Sequence, residues 1–334
     1  MRFAVVGAGA IGGLLGARLA LAGEDVTFIA RGANLAAITR DGFRLIEADG
    51  AERIATTARA KAIDEPGRYD VILLAVKAQQ VPALAVGVSH LLGPATSVVT
   101  LQNGVPWWFF HAFESPYQGR QVRVADPEGV IAANIPAQRV IGAVVYPAAE
   151  LVAPGVVKVI EGDRFTLGEP DGSRSDRVRA VSDALTRSGF KAPVSIDIRA
   201  EIWLKLWGNL VFNPVSALTH ATLAEMCQFP PTRALAATMM AEAQTVAEKL
   251  GLRVRISIER RIAGAEAVGA HKTSMLQDVE AGRPLELEAL VGSVVELARL
   301  TETPTPAIDA VYACASLLAR SLDAHGRLAF QPRD

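Results

Sequence analysis

The chain has 334 residues, of which 50% are apolar and 21% charged, with a formal net charge of −1. Such a length suits two domains, and the apolar content is ample for packed cores, which excludes a disordered or fibrous chain. A nearly neutral balance offers no clustered basic excess, so it argues against a nucleic acid or a membrane surface as partner.

Two cysteines, Cys227 and Cys314, lie far apart without metal-ligand spacing, and the five histidines are scattered. They read as two buried thiols in a reducing cytoplasm, with no metal site. The apolar N-terminal run is interrupted by Arg18, and no membrane-spanning helix is expected later in the chain. A soluble, cytoplasmic protein is expected.

Residues 2–6 (RFAVV) predict a strand, followed at once by Gly7, Ala8, Gly9, Ala10, Ile11 and Gly12. A helical period then carries Leu14, Leu15, Ala17 and Leu19, Gly23 stops it, and DVTFIAR predicts a second strand. Strand, glycine turn, helix and strand in this order make a dinucleotide-binding fingerprint. The first glycine permits the tight turn, the second lets backbone approach a pyrophosphate, and the third packs helix on strand. The open helix N-terminus then offers free N–H groups to phosphate. At the end of the second strand an NAD site carries an acid for the ribose hydroxyls. Here stand Arg31, Gly32, Ala33 and Asn34 instead. Arginine's planar fork suits a 2′-phosphate, so NADP(H) is favoured over NAD.

GFRLIE and RIATTA predict a strand pair, YDVILLAV a strand buried on both faces, VPALAVGVSHLL a helix and TSVVTLQNG the next strand. The alternation predicts a doubly wound, mostly parallel sheet, whose ligands bind beyond the C-terminal ends of its strands. Lys77 and Asn103 stand at two such ends. Residues 104–139 read as irregular, with WWFF (Trp107 to Phe110) in one helical turn, either as a core anchor or as a lid on an apolar pocket. RVIGAVVY, GVVKVIEG and RFTLGE predict an antiparallel extension of the sheet. SDRVRAVSDALTRSG follows as an amphipathic helix and APVSI as a last strand.

From Ile198 onward every segment has helical period. The expected division is a domain of residues 1–197 and an all-helical domain of residues 198–334, without an internal repeat or a linker, and with a crevice between the two. In RAEIWLKLWGNLVFNP, Lys205, Asn209 and Asn213 recur every four residues, within roughly 80° of one helix face. Trp203, Trp207, Leu210 and Val211 occupy the opposite side, and Pro214 is expected to end the helix. A lysine and two amides are costly to bury unpartnered. The stripe is either solvated or catalytic; in the second case a protonated lysine beside a carbonyl serves as general acid. In HKTSMLQDVEAGRPLELEALVG, Ser274 reads as an N-cap, and Glu286 and Glu288 as first-turn charges of the next helix.

Taken together, GAGAIG, AVKAQQV, LQNG, RAEIWLKLWGNLVFNP, TSMLQD with a glutamate twelve residues after its serine, and TPAIDAVYA resemble the ketopantoate reductase family over essentially the whole length. The resemblance implies a Rossmann domain joined to an all-helical domain, and NADPH-dependent reduction of 2-dehydropantoate to (R)-pantoate in pantothenate biosynthesis. It implies Lys205 as proton donor to the ketone oxygen. Asn209, Asn213 and Ser274 would hold the substrate's carboxylate and hydroxyl, and Asn103 would lie where nicotinamide and substrate meet. Arg31, Lys77 and Ala148 match cofactor contacts, and Glu286 closes the site from the helical domain.

The chain departs from the family at three places on the rim. VSALTHATLAE has no asparagine after the Asn-Pro pair, His271 replaces an asparagine, and Leu285 replaces a threonine. The WWFF segment and the 114–139 loop are additional. A related 2-hydroxyacid dehydrogenase for a bulkier 2-oxo acid is therefore the second reading, and a non-catalytic NADPH-binding regulatory module the third. A homodimer is left open as the state of assembly.

Overall fold

The structure, a computed structural model, describes residues 1–325 and divides into two units. The first comprises Met1–Gln121 with Asp126–Glu201; the second comprises Val122–Ala125 with the chain from Ile202 onward.

The first unit holds eleven strands among its described residues: β1 (Arg2–Val6), β2 (Asp25–Ile29), β3 (Phe43–Ile46), β4 (Glu52–Ala55), β5 (Arg59–Lys61), β6 (Tyr69–Leu74), β7 (Leu92–Thr100), β8 (Val140–Val145), β9 (Ala148–Ala153), β10 (Val156–Glu161) and β11 (Phe165–Gly168). Seven of them form a sheet in the order β11-β8-β7-β6-β1-β2-β5, parallel throughout except for β11 on β8. Val71, Ile72, Leu73 and Leu74 of β6 are all buried, as a strand covered on both faces requires. Helices α1 (Ala10–Leu21), α2 (Gly32–Asp41) and α3 (Val81–His90) connect these strands. The predicted doubly wound α/β sheet is present.

The predicted antiparallel extension is only partly correct. β8 pairs parallel with β7, and β11 alone extends the main sheet antiparallel. β9 and β10 leave it to form a second sheet with the β3–β4 hairpin, in the order β4-β3-β10-β9. The cause is α1, which packs against β2 of the main sheet and against all four strands of the second. Apart from Arg18 its sequence is apolar all round, as a helix enclosed on two sides must be. A Cβ at Gly13 would lie 2.4 Å from the Phe43 ring, and one at Gly16 would lie 2.4 Å from the Phe28 ring. Those two rings stack with centroids 4.7 Å apart.

Three further expectations are corrected. APVSI forms no strand, only isolated bridges from Lys191 to Arg164 and from Val194 to Leu167, because Pro193 interrupts the donor ladder. WWFF is not helical but a pair of i→i+3 turns, Phe109 N–H to Pro106 O and His111 N–H to Trp108 O. All four rings are buried, which fits the core-anchor reading. Trp108 Nε1 donates to Thr100 Oγ1 (3.1 Å), and Arg199 donates to the carbonyls of Phe109, His111 and Pro170 while stacking on Phe113. The segment 104–139 is also less irregular than expected. It contains α4 (Val130–Asn134), capped by the buried Asp126 carboxylate, which accepts from Ile131 and Ala132 N–H. Helix α5 (Asp176–Arg187) forms as predicted and is capped by Ser175.

Helix α6 (Ile198–Thr219) begins in the first unit and continues in the second. The second unit adds α7 (Leu223–Gln228), α8 (Pro230–Leu250), α9 (Ile258–Ala267), α10 (Ser274–Glu280), α11 (Ser293–Leu300) and α12 (Pro306–His325), with no strand among its described residues. Pro214 does not end α6. The turn beyond it buries Val215, Ser216 and Ala217, and Thr219 Oγ1 donates back to Val215 O, which together offset the one backbone bond proline cannot make. The second cysteine is also corrected: Cys227 is buried, but Cys314 faces outward from α12 and is exposed. No described helix is long and apolar enough to cross a membrane.

Candidate active site

In the first unit the register fixes where the site residues emerge. Val6 aligns with Ile29 and Leu74, and Leu74 with Thr100. Gly7, Arg31, Lys77 and Asn103 therefore follow the C-terminal ends of adjacent parallel strands on one sheet edge. Ala148 follows the C-terminal end of β8, three residues after Val145.

The glycine turn has the geometry its spacing predicted. Gly7 adopts φ +103°, a left-handed conformation that disfavours side chains, and a Cβ there would lie 2.7 Å from Val76 Cγ1. A Cβ on Gly12 would lie 1.9 Å from Gly7 O, so no side chain fits between helix and loop. Gly9 is different: its Cβ position has no heavy atom within 4 Å. As N-cap of α1 it supplies no side chain to the first-turn N–H groups, and that turn carries no acid. Ala8 is buried, while Ala10 and Ile11 are half-buried in the first turn. Open backbone donors at the positive end of a helix, with no carboxylate opposing them, fit a pyrophosphate.

Arg31 is the exposed N-cap of α2, and the first turn of that helix also lacks an acid. Asn34, one turn further on, fastens this segment to the glycine loop. Its Nδ2 donates to Ala8 O (3.1 Å) and its Oδ1 accepts from Gly155 N–H (2.9 Å). Gln102 does the same for the next two loops, donating to Leu74 O (2.7 Å) and Val76 O (2.9 Å) and so tying the end of β7 to the chain before Lys77. Lys77 is half-buried, and its N–H donates to Gln80 Oε1 (3.2 Å). Half-buried Asn103 precedes Gly104, at φ +91°. The sequence reading missed the roles of Asn34 and Gln102. Their signal was present as amides beside Arg31 and Asn103, but their partners are carbonyls 26 to 28 residues away.

In the second unit α6 bears the predicted stripe. Trp203, Leu206, Trp207, Leu210 and Val211 are buried on the other side, with Trp207 Nε1 donating to Met240 O (2.8 Å). Lys205 and Asn209 are half-buried and Asn213 is buried. Asn213 Nδ2 donates to Ser274 Oγ (3.4 Å), so the structure brings together two predicted site residues 61 positions apart. Ser274 is not the cap of α10. Thr273 takes that role, accepting from Leu276 N–H (3.2 Å), and this leaves the Ser274 hydroxyl exposed as the first helical residue.

Desolvation pushes the Lys205 ammonium down to a pKa of about 8, and the negative charge of Glu286 opposes that fall. The two glutamates of LELEAL have separate fates. Half-buried Glu286 acts on Lys205, whereas exposed Glu288 accepts from the Tyr312 hydroxyl at 2.8 Å on each oxygen, at the start of a π-helical turn, Glu288–Gly292. A lysine lowered toward neutrality beside a carboxylate, on a face of amides and a hydroxyl, can bind a polar carbonyl compound and give it a proton.

Comparison with known proteins places both units. Residues 3–172 match the family model described as ketopantoate reductase PanE/ApbA, and residues 197–319 match the model of its C-terminal part. The 2-dehydropantoate 2-reductase of Mesorhizobium japonicum is 53% identical, over 96% of this chain and 98% of its own. A solved structure from Ralstonia solanacearum, provisionally named a ketopantoate reductase, is 43% identical with TM-score 0.91, covering 96% of this chain and 98% of its own. The 2-dehydropantoate 2-reductase of Methylococcus capsulatus is 27% identical with TM-score 0.81, again covering 96% and 98%. With a Rossmann-type unit, an all-helical unit and both family models matched, the chain belongs to the ketopantoate reductase family of oxidoreductases.

Proposed function

We propose that the protein reduces 2-dehydropantoate to (R)-pantoate with NADPH, Lys205 acting as the proton donor. The observation that carries this reading is Lys205 itself: a desolvated lysine with a pKa of about 8, balanced by Glu286, on the amide face of α6. The identity with the Mesorhizobium japonicum reductase supports 2-dehydropantoate as the 2-oxo acid.

In this reading the N–H groups around Gly9, Ala10, Ile11 and Gly12 hold the coenzyme pyrophosphate, and Arg31 holds the 2′-phosphate. Lys77, Asn103 and Ala148, on the same edge, line the rest of the coenzyme's path. Bound there, NADPH supplies the hydride that the reduction requires. Asn209, Asn213 and Ser274 orient the carboxylate and hydroxyl of the 2-oxo acid, which fixes its C2 carbonyl against Lys205. The Lys205 ammonium polarises the carbonyl oxygen and delivers its proton there as the alcohol forms. Glu286 keeps that ammonium charged despite its desolvation.

The test is Lys205→Ala, assayed with NADPH and 2-dehydropantoate. A loss of about 10²-fold or more in kcat with unchanged coenzyme affinity is expected, the usual reach of acid catalysis. An unchanged kcat removes Lys205 from the chemistry. Oxidation of NADPH by bulkier 2-oxo acids in preference to 2-dehydropantoate would favour the related hydroxyacid dehydrogenase, the alternative to which the altered rim at His271 and Leu285 points.

A further inference from the structure

Helix α2 carries an asparagine in its first turn, Asn34, whose side chain bonds outside its own helix. It bridges two segments far apart in the chain. Its Oδ1 accepts from Gly155 N–H (2.9 Å) in the turn between β9 and β10, and its Nδ2 donates to Ala8 O (3.1 Å) in the glycine loop. A backbone N–H only donates and a carbonyl only accepts, so this pair of partners allows the amide a single orientation. The turn is itself held to β3, where Gly155 O accepts from Arg44 N–H (2.8 Å). Asn34 thus reaches Ala8 from a fixed base.

What it holds is one peptide unit, Ala8–Gly9. In a trans peptide the C=O and the N–H point in opposite directions. Fixing Ala8 O on α2 therefore turns Gly9 N–H away from α2, and among the described residues that N–H has no acceptor. This unit needs holding. It rotates about ψ of Ala8 and φ of Gly9, and glycine leaves the second torsion nearly unrestricted. No heavy atom lies within 4 Å of the Gly9 Cβ position, so packing there does not lock it either. Reversed, the unit would present the Ala8 carbonyl where Gly9 N–H now stands, an acceptor facing an anion.

We propose that Asn34 is a positioning residue for the coenzyme pyrophosphate, holding the Ala8–Gly9 peptide so that Gly9 N–H stays available as a phosphate donor. This rests on the coenzyme part of the reading above. Asn34 acts through the loop and does not itself touch the coenzyme.

The test compares NADPH with adenosine 2′-monophosphate, which carries the 2′-phosphate but no pyrophosphate, by fluorescence titration and competition on the full chain. Asn34→Ala is expected to raise Kd for NADPH about tenfold, the size of one lost hydrogen bond to a charged acceptor, and to change Kd for adenosine 2′-monophosphate by less than about twofold. In turnover, KM for NADPH should rise by the same factor, with kcat at saturating NADPH within a few-fold and KM for the 2-oxo acid unchanged. Asn34→Asp keeps an acceptor for Gly155 N–H but sets a carboxylate oxygen against the Ala8 carbonyl. The ratio of the two Kd values should therefore rise at least as far as in Asn34→Ala. Should Asn34→Ala fail to fold, Asn34→Asp, with the Gly155 contact intact, is judged by the same ratio. Equal losses for the two ligands, as a displaced α2 would give, or no loss for NADPH, overturn the clamp while leaving the reductase intact. A wild-type enzyme that binds NADPH but reduces no 2-oxo acid overturns the reductase reading, and the binding ratio still decides the clamp. One that binds neither ligand overturns both.

Discussion

Replacing Lys205 by methionine should stabilise the protein while slowing its catalysis. Lys205 titrates at about 8 in the folded chain, against an ordinary value of 10.5. Each unit of difference corresponds to about 1.4 kcal/mol, so keeping this lysine charged in the fold at pH 7 costs roughly 3 kcal/mol relative to the unfolded chain. The sign follows from the protonation states. Below pH 8 the lysine is charged both folded and unfolded, and the cost is paid in full. As pH rises through 8 the folded form releases its proton first, and the cost fades toward pH 10.5. Methionine keeps the length of the stem and its packing but has no charge to desolvate. Urea unfolding of the full chain at pH 7 should show Lys205→Met more stable by up to about 3 kcal/mol, with the gap narrowing at alkaline pH. Turnover should fall about 10²-fold or more in parallel. A variant less stable than wild type at pH 7, or a gap indifferent to pH, would refute the assignment of a desolvated ammonium to this position.

The same group sets a pH profile. With Lys205 required in its protonated form, kcat/KM should be level below pH 8 and fall about tenfold per unit above it. Because the Glu286 carboxylate raises the lysine's pKa, Glu286→Gln should move that falling limb to lower pH, and an unmoved limb would separate the two residues. Arg31→Glu should weaken NADPH selectively, with NADH little affected; an unchanged preference between the coenzymes in kcat/KM would remove Arg31 from the 2′-phosphate. Gly12→Ala must displace the Gly7 carbonyl, since its Cβ would lie 1.9 Å from that oxygen. NADPH titration by tryptophan fluorescence should show affinity down at least about tenfold, and unfolding should show a loss of roughly 1–3 kcal/mol.

Much of this was legible in the sequence because it is local. The glycine turn is written in six consecutive residues, and the Lys205 stripe in one helix of plain period. What was not legible depends on partners far along the chain. Nothing in GVVKVIEG says that β10 pairs with β3, more than a hundred residues earlier, rather than with β8. That choice is made by α1, whose Gly13 and Gly16 admit Phe43 from one sheet and Phe28 from the other. Pro214 misled for a related reason: a local helix breaker is overridden when the following turn is buried. Ser274 was read as a cap because capping is a local pattern, yet its neighbour Thr273 does the capping and Ser274 turns to Asn213.

The most direct measurement of the central claim is a product assay: the enzyme is mixed with NADPH and 2-dehydropantoate, and NADP+ and pantoate are followed together by absorbance and NMR. The account predicts one (R)-pantoate for each NADPH oxidised, at a rate lowered about 10²-fold or more in Lys205→Ala. Tight binding of NADPH with no oxidation by 2-dehydropantoate or any other 2-oxo acid would contradict it, and would leave the protein a coenzyme-binding module without turnover.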